Sequence, residues 1–280
     1  MRGATGTECG VEPDAAPAMR YIHPVQTGGS ATANTDDGTL GLWFAYPDDL
    51  LDDTVAQTCV GLLSTEEVQR WKAFKFDRHR CEYLATRTLA RTALSHYADH
   101  LPQAWRFHAN EFGKPAVDPP CGLRFNLSNS LELVACLIGH RGDVGVDIEP
   151  RRRAESIVEI APRMFSPLEL AQLHELREDQ RPERCLRLWT LKEAYIKARG
   201  MGLALPLDKF SFEFDEAGSI RLLLDRSLKD RPERWRFCLL EHAGHYVALM
   251  VECGAPVKLR RWELRQPASA AELVREETWF

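Results

Sequence analysis

Apolar positions recur at helical spacing after Ser64-Thr65-Glu66-Glu67, where Val68, Trp71 and Phe74/Lys75 follow. The S-x-x-E order is a capping box, so a short helix is predicted to begin there. A second helix is predicted over 78–97, capped by Asp77, with Leu84, Leu94 and Tyr97 on its buried side. A strand candidate at 39–46 precedes them. Short strands follow near 104–109, 123–127, 132–139 and 143–149. The order then repeats. Ser166-Pro167-Leu168-Glu169 is another capping box, with Pro at the first helical position. A short helix to about residue 177 follows, then a longer one over 182–199 that stops at Gly200. Strands are expected at 209–214, 219–224, 234–241 and 245–252, the last two flanking the hairpin link His242-Ala243-Gly244. A strand at 257–264 and a short helical tail end the chain. Each half reads as short helix, long helix and strand meander, an α+β class with an internal repeat of architecture. Residues 1 to about 38, rich in Gly, Ala, Thr and Pro, read as a flexible leader. The divisions are a leader at 1–38, halves at 39–142 and 143–265, and a tail at 266–280.

Composition narrows the function classes. A chain of 280 residues with 44% hydrophobic content can build a sizeable core. The net charge of −5 provides no overall attraction to nucleic acid or to an anionic membrane. No apolar run approaches the roughly 20 residues that span a bilayer, and no secretory signal is visible. The eight cysteines form no C-x-x-C pair, and some sit in apolar runs such as Val134-Ala135-Cys136-Leu137-Ile138. Buried reduced thiols in a cytoplasmic protein are therefore expected, rather than a disulfide frame or a zinc site.

The candidate chemistry lies in two segments. In Gly145-Val146-Asp147-Ile148-Glu149-Pro150 the two carboxylates are two residues apart and share one face of a strand. In Trp189-Thr190-Leu191-Lys192-Glu193-Ala194-Tyr195-Ile196-Lys197, residues Trp189, Glu193 and Lys197 line one helix face. Taken singly, the strand pair could be a solvated face, and Glu193/Lys197 a surface pair contributing ~0.3 kcal/mol. If the two elements pack together, three carboxylates and one ammonium meet. Such a cluster calls for a cation, and Mg²⁺ with a bound phosphate is the usual resolution. Phosphate-ester chemistry is the leading expectation.

With these segments stand Phe112-Gly113-Lys114-Pro115, Phe125-Asn126-Leu127-Ser128, Phe165-Ser166 and Gly200-Met201-Gly202-Leu203. In this order, over roughly residues 60 to 215, the chain resembles the 4′-phosphopantetheinyl transferase superfamily. The match is to its larger pseudo-dimeric class, the surfactin-synthetase-activating type that serves peptide and polyketide synthetases. Gly-Lys-Pro alone is a weak signal. The D-x-E strand followed about forty residues later by W-x-x-K-E-A-x-x-K is a strong one. The resemblance implies two similar α/β halves related by a pseudo-two-fold, each a small antiparallel sheet with a long helix, and an active site in the cleft between them. It implies an enzyme that moves phosphopantetheine from coenzyme A to a serine of an apo acyl or peptidyl carrier protein, releasing 3′,5′-ADP.

The resemblance also implies roles. Asp147, Glu149 and Glu193 match the metal ligands, for Mg²⁺. Glu193 matches the general base, and Lys197 can neutralise the phosphate leaving group, with Asp147 in the same catalytic set. Arg78, Lys114 and Ser128 match contacts to coenzyme A. The family usually has His after that serine, contacting a coenzyme A phosphate, where this chain has Asn129. An amide can donate a hydrogen bond but cannot become a cation. Asn129 thus implies weaker phosphate binding, and it motivates the alternative of a catalytically weakened coenzyme A- or carrier-binding protein. Clustered carboxylates also fit a Mg²⁺-dependent nuclease or phosphatase.

Other positions carry two readings. Arg80, Arg87 and Arg91 form a basic helix stripe that could meet the nucleotide or pair with surface acids. Glu169 resembles a family acidic position near the metal and is also the glutamate of a capping box. Trp189 and Tyr195 are expected to pack. Arg151-Arg152-Arg153 could be a solvated loop or, with Met164 and Phe165, a dock for an acidic carrier helix. A monomer is expected, without nucleic acid or membrane as partner.

Overall fold

The computed structural model describes residues 39–118, 120–216, 218–254, 257–266 and 270–279. The expected leader lies outside the described residues. Strand β1 (Thr39–Ala45) is buried on both faces. Leu40, Leu42 and Phe44 enter one apolar cluster and Trp43 and Ala45 another, the period of two a central strand requires. Three helices follow, α1 (Asp53–Val60), α2 (Thr65–Ala73) and α3 (Asp77–Tyr97). The hairpin β2 (Arg106–Ala109) and β3 (Pro115–Asp118) leads to β4 (Arg124–Asn129), β5 (Val134–Gly139) and β6 (Val144–Pro150). Helices α4 (Ala154–Met164), α5 (Pro167–Glu175) and α6 (Arg181–Arg199) come next. The hairpin β7 (Phe210–Phe214) and β8 (Ile220–Leu224) precedes β9 (Trp235–His242) and β10 (His245–Glu252). Strands β11 (Val257–Gln266) and β12 (Ala270–Trp279) complete the α+β fold.

One sheet has the order β12-β11-β1-β5-β4 and a second has β6-β10-β9. Helix α3 packs on β5 and β1, and α6 packs on β6 and β10. Between the sheets lies a shared apolar layer that includes Leu42, Phe44, Leu137, Val146, Ile148, Val247 and Leu249. The seam is polar as well. Asn126 Oδ1 accepts from the Val146 amide at 3.0 Å, and Ser128 Oγ accepts from the Ile148 amide at 3.2 Å. Two β4 side chains thus satisfy backbone groups of β6 that no ladder partner reaches.

Both capping boxes form, and each glutamate has a second task. Glu67 receives Arg91 at 2.5 Å and Arg87 at 2.8 Å from α3. Glu169 receives Lys192 from α6 at 2.8 Å. Arg91 also donates to the carbonyls of Pro102 and Trp105, and Lys192 to those of Leu207 and Phe210. The same device, a buried cation of the long helix held by the capping glutamate of the short one, therefore occurs twice. It also resolves the basic stripe. Arg87 and Arg91 serve Glu67, while Arg80 pairs with Asp77 at 3.0 Å and donates to the Phe74 carbonyl. These guanidiniums hold α2 against α3.

Other expectations are corrected. Asp77 does not cap α3: Phe76 occupies the cap position, and Asp77 is the first helical residue, its carboxylate turned to Arg80. The tail is a strand, β12, paired antiparallel with β11, which itself runs parallel to β1. The Ala- and Glu-rich tail has helical propensity, but the open edge of β11 offers unpaired backbone groups, and the ladder prevails. Helices α1 and α4 and strand β3 were not anticipated. Cys59, Cys136 and Cys185 are buried as expected, whereas Cys121 is exposed. No helix among the described residues is long and apolar enough to cross a membrane.

Candidate active site

Strand β6 divides its side chains between two environments. Val144, Val146 and Ile148 enter the layer between the sheets. Gly145, Asp147 and Glu149 occupy the other face, toward α6. The approach is close because Gly145 has no side chain: a Cβ there would stand 2.1 Å from the Ala194 carbonyl oxygen and 2.6 Å from the Ala198 amide nitrogen. Both are backbone atoms, so neither can swing away. We expect Gly145→Ala to push strand and helix apart, with a stability loss of about 1–3 kcal/mol in urea unfolding. An unchanged unfolding midpoint would refute this contact.

The faces of strand and helix meet as their periods require. Lys197 Nζ donates to Asp147 Oδ1 at 2.7 Å and to Ser128 Oγ at 2.9 Å, and Ser128 Oγ lies 3.0 Å from the same Asp147 oxygen. At the other end, Trp189 Nε1 donates to Glu149 Oε1 at 2.9 Å. Glu193 lies one helical turn from each. Among the described residues none hydrogen-bonds its carboxylate, although it feels the charges of Asp147, Lys197 and Glu149. Trp189, expected only to pack, thus also orients a carboxylate. An indole N–H aimed at a D-x-E strand leaves no local sequence signal.

Electrostatics mark the cluster. Burial pushes the Glu193 carboxyl up to about 7, and the negative charge of Asp147 adds to the effect. Burial raises Asp147 as well, against the opposing pull of Lys197 and its hydrogen bonds. Glu149 is raised by burial and by Asp147, with Arg153 opposing. The site favours protons, or another cation, on its carboxylates.

The donor set suits a hard divalent cation: three carboxylates, of which Asp147 Oδ2 is buried without a hydrogen-bond partner. Among the described residues, however, no three acidic, His or Cys side chains already stand in metal-binding array. Two of the three carboxylates are already engaged by cations, Asp147 by Lys197 and Glu149 by Arg153. Arg153 Nη1 contacts both oxygens of Glu149, at 2.8 and 2.6 Å. The arginine run is solvent-exposed, as expected of a solvated segment, yet each side chain has an acidic partner. Arg151 pairs with Glu241, Arg152 with Glu132, and Arg153 belongs to the site.

Other sequence candidates lie apart from the carboxylates. Lys114 sits at the C-terminal end of α6, donating to the Ala198 carbonyl at 2.6 Å and to Asp143 at 2.8 Å. Gly200 ends α6 at φ 63°, and Asn110 donates to its carbonyl at 2.9 Å. The Gly-Lys-Pro loop thus closes the helix that carries Glu193 and Lys197. Asn129 donates to Glu82 of α3, which also pairs with His79 at 3.4 Å. Arg78 is exposed beside the Phe76 ring. Glu169 is wholly buried with Lys192 and also accepts from the Phe212 amide, so its role is structural. Tyr195 packs in the core and donates to Asp230.

Residues 143–251 match the family model of the 4′-phosphopantetheinyl transferase superfamily. The chain is 34% identical to 4′-phosphopantetheinyl transferase HetI of Nostoc sp. over 53% of its own length and 64% of HetI. It is 31% identical to a 4′-phosphopantetheinyl transferase of Bacillus subtilis over 65% of its length and 80% of that protein. Holo-[acyl-carrier-protein] synthase of Neisseria meningitidis superposes on 39% of the chain and 95% of its own, with 18% identity and a TM-score of 0.34. The chain belongs to the 4′-phosphopantetheinyl transferase superfamily.

Proposed function

We propose that this protein transfers the 4′-phosphopantetheine arm of coenzyme A to a serine of an apo acyl or peptidyl carrier protein, releasing 3′,5′-ADP. The observation that carries the reading is the meeting of Asp147 and Glu149 with Trp189, Glu193 and Lys197 across the β6–α6 contact. The serine hydroxyl is a weak nucleophile at neutral pH. Glu193, part-buried in the site and with no hydrogen bond on its carboxylate among the described residues, would take the hydroxyl proton. The serine oxygen then bonds the phosphorus that bears pantetheine. The pyrophosphate P–O bond breaks, and the departing 3′,5′-ADP carries the electron pair. Lys197, held by Asp147 and Ser128, places an ammonium where that charge develops. A divalent cation, Mg²⁺, held by Asp147, Glu149 and Glu193, would offset the charge of the pyrophosphate.

In this reading the halves are 39–142 and 143–265, related by a pseudo-two-fold, with the cleft between them open to coenzyme A. The repeated pairing of capping glutamate and long-helix cation supports it. Arg78, Lys114, Ser128 and Asn129 would lie along the coenzyme A path. Lys114 would reach the nucleotide by releasing one of its two oxygen partners, and Asn129 would contribute an uncharged contact.

The test is intact-mass analysis of several apo carrier proteins after incubation with the protein, coenzyme A and Mg²⁺. The expected result is a gain of one phosphopantetheine on a carrier serine. Calorimetric binding of coenzyme A with no change in any carrier mass would replace the transferase reading with that of a binding protein.

A further inference from the structure

The three carboxylates differ in what already occupies them. Asp147 has one oxygen engaged by Lys197 and Ser128, and its other oxygen is buried without a partner. It can accept a cation and keep Lys197. The Glu193 carboxylate lies outside the hydrogen-bond network of the described residues. Glu149 is different. Its Oε1 accepts from Trp189 Nε1 at 2.9 Å and from Arg153 Nη1 at 2.8 Å, and its Oε2 accepts from the same guanidinium nitrogen at 2.6 Å. Both oxygens face one positive charge. A second cation on Glu149 would sit beside that guanidinium, and like charges at such range repel strongly.

The two partners are also unequally held. The Glu149 side chain, near the end of β6, is 8% exposed and also held by Trp189, whereas that of Arg153 is 48% exposed. Arg153 follows Glu149 by four residues and ends the short helical turn before α4. Its guanidinium can therefore move into water without disturbing the core, while Glu149 cannot move away.

We propose that Arg153 is a displaceable counter-ion of the site, holding Glu149 while no divalent cation is bound and leaving it when one binds. This rests on the metal reading above. Arg153 then sets the metal affinity: every binding event must break a charge-assisted contact that the metal-free protein holds. The released guanidinium stays beside the cleft, free to meet an anionic group of an incoming substrate. The run of three arginines thus divides by role, with Arg151 and Arg152 pairing surface glutamates and Arg153 guarding a ligand.

The experiment is calorimetric titration of Mg²⁺ and Mn²⁺ into the metal-free full-length protein and its Arg153→Gln and Arg153→Lys variants, with thermal melting of each with and without metal. Arg153→Gln should bind the cation about tenfold more tightly, the equivalent of one lost charge-assisted hydrogen bond. Its metal-free melting temperature should fall while the metal-induced rise grows. Arg153→Lys, which keeps the charge on a more strongly hydrated head group, should be intermediate. Equal or weaker binding by Arg153→Gln, with the parent binding normally, overturns the counter-ion role alone. Failure of all three proteins to bind either cation overturns the metal reading and this inference together.

Discussion

Glu193→Gln should lower carrier modification by about 10²- to 10⁴-fold while the protein remains folded. The amide keeps the size of the side chain but cannot take the serine proton. Among the described residues no hydrogen bond depends on the Glu193 carboxylate, so the fold should survive its loss. Time courses of intact carrier mass measure the rate, and circular dichroism measures the fold. A variant that kept the parental rate would remove Glu193 as base.

The same substitution should change how stability depends on pH. The folded protein holds the Glu193 carboxyl near 7, against 4.5 in an unperturbed chain. The folded state therefore binds a proton that the unfolded state has already released between those values. This contribution to stability is fully present below about 4.5, is lost as pH rises through 7, and is constant above. Glutamine has no such proton to lose. Metal-free Glu193→Gln should thus gain on the order of 1–3 kcal/mol over the parent at pH 8, read from urea unfolding, and little at pH 4. A protein less active and more stable is the signature of a strained functional carboxylate.

Lys192→Ala should destabilise the protein by about 3–5 kcal/mol. Lys192 is fully buried, one residue before Glu193 but on a different face of α6, and its ammonium binds Glu169 and two carbonyls. Burial pulls its pKa down, with Glu169 holding it up. Removing the lysine leaves the buried Glu169 carboxylate with the Ser166 and Phe212 amides but no counter-charge. Replacing both partners, as Lys192→Met with Glu169→Gln, should recover much of the loss because no lone charge remains. Urea midpoints of Lys192→Met alone and of Lys192→Met with Glu169→Gln decide the matter; equal loss in both would show that the stranded charge does not dominate. Adjacent residues of one motif thus separate cleanly, with Lys192 supporting the helix and Glu193 acting at its surface.

Much of the fold was legible because local chemistry is local. The capping boxes at Ser64 and Ser166 announced α2 and α5, and Gly200 ended α6 where its positive φ requires. Helices α1 and α4 were less visible. The α1 segment is short, and Pro162 inside α4 argues against helix on propensity alone. The pairing of β11 with β1 joins residues more than two hundred positions apart, and no local pattern encodes such a partner. The tail misled for the same reason, since its intrinsic preference lost to an available sheet edge.

What the sequence determined by itself was the set of faces. A period of two put Asp147 and Glu149 together, and a period of 3.6 aligned Trp189, Glu193 and Lys197, because backbone geometry alone sets these directions. Tertiary structure decided which faces meet and how charge is shared once they do. Gly145 lets α6 approach β6 closely, Lys197 and Arg153 become resident cations, and Glu67 and Glu169 become buried anchors while remaining caps. Those outcomes depend on distances between distant segments and on the exclusion of water from the contact, which arise only when the chain has packed.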